Sequence, residues 1–292
     1  MRVAIVTDST AYLPEQWAAE HDVTVVPLSV LIDMDSYVEG VDRAVGELAR
    51  ALSRAGGATT SRPSPQQFLA RYEALADEGA EAIVSVHLSA ALSGTYEAAV
   101  LAAADAPVPV RVVDSASMGA GLGYAVREAV ATVRRVGPDA SAAAVADAAA
   151  AAASGVARET AVLFCVASLE FLRRGGRIGA ASAFLGTALA VKPLLALRDG
   201  RIEPVEKQRT MGRAVNRLVD MAAERIAQRP GARVTVHHVG ADGRAREIAE
   251  AMRSRGDGVL AGEPELVELG LVAAAHLGPG SVGVVVAPPA VA

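Results

Sequence analysis

The sequence predicts a two-domain α/β protein: a doubly wound parallel sheet first, then an α+β domain with a mixed sheet. Three observations carry this expectation. The chain has 292 residues, enough for about two domains with a core each. In its first half, near-continuous apolar runs alternate with helical patterns, as parallel strands covered on both faces do. In its second half two apolar runs flank Asp199-Gly200, a hairpin signal foreign to purely parallel βα units.

Taken in order, "VAIVT" reads as a strand and "PEQWAAEH" as a helix, followed by strand "VTVVPLSVLI" and helix "VGELARALSRAG". The loop "TTSRPSP" precedes helix "QQFLARYEALADEG", strand "EAIVSVHLS" and helix "TYEAAVLAAADA". Strand "VRVVDS" then leads into helix "GYAVREAVATVRRVG". An alanine-rich helix over roughly 139–155 closes the first domain, which places 1–155 in the parallel domain and 156–292 in the α+β domain. Beyond it, "ETAVLFCVASL" is strand-like, and "LEFLRRGGRIGAASAFLGTAL" is mostly helical with a glycine interruption. The hairpin "KPLLALRDGRIEPVEKQR", helix "AVNRLVDMAAERIAQR", strand "ARVTVHHVG", helix "GRAREIAEAMRSRG" and terminal strand "GSVGVVVAP" complete the chain.

Composition narrows the function classes. Hydrophobic residues make up 52% and charged residues 21%, which is a globular balance. The net charge is −5 with arginines scattered among acids, so no basic face for nucleic acid is expected. No apolar run reaches the ~18 residues of a membrane span, which leaves at most transient membrane contact. Asp8 comes too early for the apolar region of a signal peptide, so a cytoplasmic protein is expected. The single cysteine, Cys165, lies in an apolar run and reads as a buried thiol.

The chemistry is expected in turns that follow strands, because ligands of parallel sheets bind beyond the strands' carboxyl ends. "LSGT" sets the amides of Gly94 and Thr95 at a helix start beside the Ser93 hydroxyl, a combination that suits an anion; an ordinary cap by Ser93 accounts for the same residues. A nucleophile elbow needs G-x-S-x-G, and "AALSGTY" lacks the first glycine. "TTSRPSP" gathers hydroxyls, with Ser64 placed to cap a helix whose first residue is Pro65, while Thr60 and Ser61 remain to face a ligand. "TDST" at 7–10 caps the next helix or orders the neighbouring loops. Glycines 119, 121 and 123 do not complete a dinucleotide fingerprint, and the five histidines lack metal-ligand spacing, so no metal and no cofactor is expected. His276, in the glycine-rich turn "AAAHLGPGSVG", could donate to a carboxylate and titrate near physiological pH. "RRGGRIG" offers either an exposed guanidinium for an anion or a solvated helix end.

These pieces together resemble the DegV family, which includes the FakB-type fatty-acid-binding subunits of bacterial fatty acid kinase. The resemblance rests on "VTDSTAYLP", "VPLSV", "TTSRPSP", "LSGTYEAA", "VVDSASMGAGLG", "LEFLRRGGRIG", "KPLLALRDGRIEPVEKQRT" and "HLGPGSVG", in that order through nearly the whole chain. Departures are small: Arg62 stands where the loop usually has glutamine, Tyr12 where many members have aspartate, and His87-Leu88-Ser89-Ala90 replaces a more serine-rich run. The resemblance implies a lipid-binding carrier rather than an enzyme, with a long-chain fatty acid as ligand. Its carboxylate would be held by Thr60, Ser61, Ser93, Gly94 and His276. An ATP-dependent fatty acid kinase subunit would be the partner that forms acyl-phosphate, with Arg177 and Arg209 facing that partner and the phosphate. Two other readings stay open: a serine-dependent esterase or phosphotransferase using Ser93, and a lipid-sensing regulatory module.

Overall fold

The computed structural model describes residues 2–32, 35–41, 58–137, 140–184 and 191–291. Described residues within 1–28 and 61–159, with Val291, pack as one unit; those within 29–60 and 160–290 pack as a second. The chain thus passes between units more than once, whereas the sequence reading divides it once, near 155. The helix expected over 45–56 and the segment 185–190 of the glycine-interrupted helix lie outside the described residues.

In the first unit four strands, β1 (Val3–Asp8), β2 (Val23–Val26), β6 (Ala82–His87) and β7 (Val110–Asp114), form a parallel sheet in the order β2-β1-β6-β7. Side chains alternate across a strand, and both faces are buried here, which is why β1 and β6 are apolar almost throughout. Val3, Ile5, Ala82, Val84 and Val86 face helices α1 (Glu15–Glu20), α4 (Ala120–Arg135) and α5 (Ala142–Glu159). Ala4, Val6 and Ile83 face the opposite way, onto Phe68, Tyr72 and Leu75 of α2 (Pro65–Asp77) and Ala98, Ala99 and Ala102 of α3 (Thr95–Ala104). The sheet is therefore doubly wound, as expected. The alanine-rich helix is α5, with Ala142, Ala146, Ala149, Ala153 and Ala157 buried on one face at helical spacing.

The expected strand "VTVVPLSVLI" breaks in two at Pro27-Leu28. Proline has no amide for the ladder, and the Leu28 amide donates instead to Ser9 Oγ at 3.0 Å. The run resumes as β3 (Ser29–Ile32), which joins β4 (Asp35–Val38) and β5 (Ala58–Ser61) in a separate sheet ordered β4-β3-β5. Part of the expected "TTSRPSP" loop is thus strand. The Ser64 cap is present, with a capping box closed by Gln67: Ser64 Oγ accepts from Gln67 N at 3.2 Å and Gln67 Oε1 from Ser64 N at 2.8 Å.

The second unit contains a mixed sheet in the order β10-β9-β8-β13-β11-β12. Its strands are β8 (Ala161–Cys165), β9 (Lys192–Arg198), β10 (Arg201–Gln208), β11 (Arg233–His238), β12 (Glu265–Glu268) and β13 (Val282–Ala287), and only β11 and β12 pair in parallel. One face packs Leu163, Cys165, Leu194, Val234, Val236 and Val284 against α7 (Met211–Ala227) and α8 (Asp242–Arg255). Burial pushes the Cys165 thiol up to about 12, consistent with a packed, unreactive sulfur. Strand β12 has no counterpart in the sequence reading, because its half-exposed "ELVE" carries too little apolar signal.

The hairpin β9–β10 turns on Asp199 (φ +47°) and Gly200 (φ +75°), the two left-handed positions that a twisted two-residue turn requires. Gly200→Val places a β-branched residue in that region and is expected to lower unfolding stability by about 1–2 kcal/mol. Guanidinium unfolding of the variant beside the parent measures this.

Candidate functional site

At the carboxyl ends of β1 and β6 a buried carboxylate organises the polar turns. Asp8 is fully buried. Its Oδ1 accepts from Thr10 N at 3.0 Å and Thr10 Oγ1 at 2.5 Å; its Oδ2 meets His87 Nδ1 at 3.0 Å and accepts from Leu88 N at 3.0 Å. His87 Nε2 lies 2.7 Å from Ser85 Oγ, which in turn accepts from Tyr72 at 2.9 Å. Burial pushes the Tyr72 hydroxyl up to about 12, so it remains a donor. A ring with its hydrogen on Nδ1 satisfies every member: tyrosine donates to serine, serine to Nε2, and Nδ1–H to the carboxylate. Of the two roles expected for "TDST", the ordering of neighbouring loops occurs, since Asp8 ties down the β6 turn; it caps only a short 3-10 turn at Ser9–Ala11, while the expected helix α1 starts after Pro14 without a side-chain cap. The order serine–histidine–aspartate resembles a catalytic triad, yet Ser85 is fully buried and hydrogen-bonded to Tyr72, so the chain is structural.

The next turn carries Ser93 and Gly94. Ser89 N donates to Ser117 O at 2.8 Å, and Ala90 N and Ala116 N converge on Asp114 Oδ1 at 3.2 and 2.7 Å. The N-cap of α3 is Gly94, without a side-chain bond; Ser93 stands one residue earlier and its hydroxyl meets Thr95 Oγ1 at 2.9 Å. Ser93 is therefore not the cap that the sequence allows for. No imidazole bonds it among the described contacts, so nothing there activates it as a nucleophile. The Arg62 guanidinium rests against Gly94, in the space a side chain at 94 would fill. Ser61 is exposed and, among the described residues, its hydroxyl makes a single long 3.4 Å bond, to Arg62 O.

In the second unit Thr60 and His276 come together, 216 residues apart in sequence. Thr60 Oγ1 on β5 lies 2.9 Å from His276 Nε2. His276 does not sit in the glycine-rich turn but in the last turn of α9 (Leu271–Leu277); the helix-forming "LVAAAHL" carries through it and ends at Gly278, whose φ is +76°. Its Nδ1 is buried without a hydrogen-bond partner among the described residues. A Cβ on Gly175 would collide with that nitrogen, so the glycine of "RRGGRIG" is what admits the ring. Arg177 folds back to donate from Nη1 to Gly175 O at 2.5 Å. Burial, helped by the Arg177 charge, lowers the imidazole to about 4. That corrects the expectation that His276 titrates near physiological pH: the ring is neutral there, able to accept at one nitrogen and donate at the other. Arg209 is exposed, between β10 and the Thr210 cap of α7.

Of the residues singled out by sequence, the structure thus brings together Thr60, His276 and Arg177, and separately pairs Gly94 with Arg62. Sequence reading passed over the Tyr72–Ser85–His87–Asp8 chain. Its trace was the S-x-H pair at alternate positions of an apolar strand. Among the described residues no group of three or more His, Cys, Asp or Glu side chains is placed to hold a metal, and no helix is long and apolar enough to cross a membrane.

Comparison with known proteins gives a consistent result. The family model described as "Uncharacterised protein, DegV family" matches residues 2–289. A DegV domain-containing protein of Streptomyces coelicolor is 47% identical over 284 residues, covering 97% of this chain and 98% of its own. Among solved structures, a DegV family protein from Thermus thermophilus, described by its fatty acid binding, superposes with a TM-score of 0.87 at 34% identity, covering 99% and 100% of the two chains. A stearic-acid-binding protein from Eubacterium ventriosum does so with a TM-score of 0.86 at 25% identity, covering 98% of each.

One consequence concerns pH. Burial holds both His276 and His237 at about 4, below the ~6.5 of an unfolded chain. The unfolded state binds more protons between those values, so stability is full above about pH 6.5 and falls as pH drops toward 4. Each histidine contributes on the order of 1–3 kcal/mol to that loss. Chemical unfolding at pH 7.5 and 4.5 should show it, with a smaller difference in His276→Gln.

Proposed function

This chain belongs to the DegV family, and on that premise we propose that it binds a long-chain fatty acid and presents the carboxyl group to an ATP-dependent kinase subunit, which forms the acyl-phosphate. The observation that carries this reading is the His276 ring. The ring meets a threonine hydroxyl at Nε2, lies near an arginine, and has a buried Nδ1 without a partner among the described residues, groups that suit a carboxylate. Burying a carboxylate without donors costs several kcal/mol; the neutral Thr60–His276 pair offers it one proton, from Nδ1–H when Thr60 donates to Nε2 or from the Thr60 hydroxyl when Nε2–H donates to that, and Arg177 offers its guanidinium. Ser61, Ser93 and Gly94 are proposed as further carboxylate contacts on the strength of the "TTSRPSP" and "LSGTYEAA" motifs. Arg177 and the exposed Arg209 are proposed for the side that meets the kinase and its phosphate. The fatty acid binding described for the Thermus and Eubacterium proteins supports the ligand class. For an acyl tail, burial at ~0.8 kcal/mol per methylene would dominate affinity.

The esterase reading finds no support, since the Ser93 hydroxyl pairs with Thr95 rather than with a base. The carrier reading needs no nucleophile.

Protein purified from bacterial cells is expected to release one fatty acid per chain under denaturing mass spectrometry. An empty protein that also refuses added palmitate overturns the proposal. The Thr60→Ala/Ser93→Ala double variant removes the hydroxyl that pairs with His276 and a second hydroxyl proposed for the carboxylate, and is expected to weaken fatty acid binding by about tenfold or more. Unchanged affinity in the double variant removes both residues from the site.

A further inference from the structure

Helix α9 carries His276, yet its own sequence offers no side chain to cap its start, since Gly270 stands at the N-cap. The acceptor comes from a distant part of the chain. Glu39, only 5% exposed, accepts from Val272 N at 2.9 Å. It sits in the turn after β4, where Val41 N donates to Val38 O at 3.2 Å and Gly40 takes φ +81°. One helical turn beyond Val272, His276 Nε2 meets Thr60 Oγ1 on β5. Glu39 and Thr60 thus extend from the two outer strands of the order β4-β3-β5. Those strands stand ~9–10 Å apart, and Val272 and His276 are ~6 Å apart along the helix axis. The short helix is therefore fastened across the small sheet at both ends. A third contact limits its sliding: the Phe171 ring of α6 (Glu170–Arg174) fills the space beside Gly278, while Gly175 admits the His276 ring.

We propose that Glu39 is a positioning residue which, by holding the first turn of α9, sets the height and rotation at which His276 meets Thr60 and faces the fatty acid carboxylate. A helix rotates by ~100° per residue, so a slip of one residue at the uncapped end would turn the imidazole away from Thr60. Releasing Glu39 also leaves the Val272 amide buried without its acceptor, which drives such a slip. The inference rests on the fatty acid reading for its ligand, but the placement of the ring can be observed without one.

The test uses the full chain, stripped of lipid, as parent, Glu39→Ala and Glu39→Gln. Palmitate affinity is measured by calorimetry, and the His276 ring by nitrogen NMR of histidine-labelled protein at pH 7, assigned with His276→Asn. Glu39→Ala is expected to weaken palmitate binding about tenfold and to move the His276 nitrogen signals. Glu39→Gln, whose amide oxygen can still accept from Val272, should recover most of the affinity and the parental signals. Should Glu39→Ala fail to fold, Glu39→Asp, one methylene too short to reach, carries the same expectation. Parental affinity together with unmoved His276 signals in the Ala or Asp variant overturns the proposal. If the parent itself takes up no palmitate, the fatty acid reading falls, and the ring signals still decide the role of Glu39.

Discussion

A carboxylate removed from water is tolerated only where donors surround it, and in the first unit the turns after β1 and β6 are arranged around one such group. Asp8 collects four donors from two strand-end turns, and through His87 it extends to Ser85 and Tyr72 across the face of the parallel sheet. The turn after β1 and the turn after β6 are held in fixed register by that one side chain. The Ser93–Gly94 turn continues directly from the β6 turn and inherits this rigidity, through Ser93 N bonded to Ser89 O. An unbroken apolar strand pair would bury more surface, but it would leave these loops free.

The second unit solves a comparable problem with small residues. At Gly175 and Gly278, which follow α6 and α9, there is no room for a side chain: one admits the His276 ring and the other the Phe171 ring. The imidazole is neutral because it is buried near a guanidinium, and its Nδ1, packed beside Gly175, has no hydrogen-bond partner among the described residues. Glycines that look in the sequence like flexible punctuation here provide close packing and rigidity.

The doubly wound sheet, the hairpin at Asp199-Gly200 and the Ser64 cap were legible because each depends on a few adjacent residues: apolar runs, turn residues with positive φ, a hydroxyl three residues before glutamine. Strands β4, β5 and β12 were not, because they are short and half-exposed, and pairing rather than local preference makes them strands. The break at Pro27 was visible as a proline, but its consequence, a change of sheet, was not.

For the candidate site the division is similar. Thr60, Ser93, His276 and Gly175 stand out in the sequence by motif, whereas Glu39 carries no signal of its own. By itself the sequence determined the order of layers, the buried thiol and the family to which the chain belongs, since these follow from local pattern repeated along the whole length. Only the tertiary structure decided that Thr60 meets His276, that the imidazole is neutral, and that Glu39 caps its helix. The Thr60–His276 and Glu39–Val272 contacts join residues more than two hundred positions apart, and burial at such contacts, not residue type, sets the charge and direction of each group.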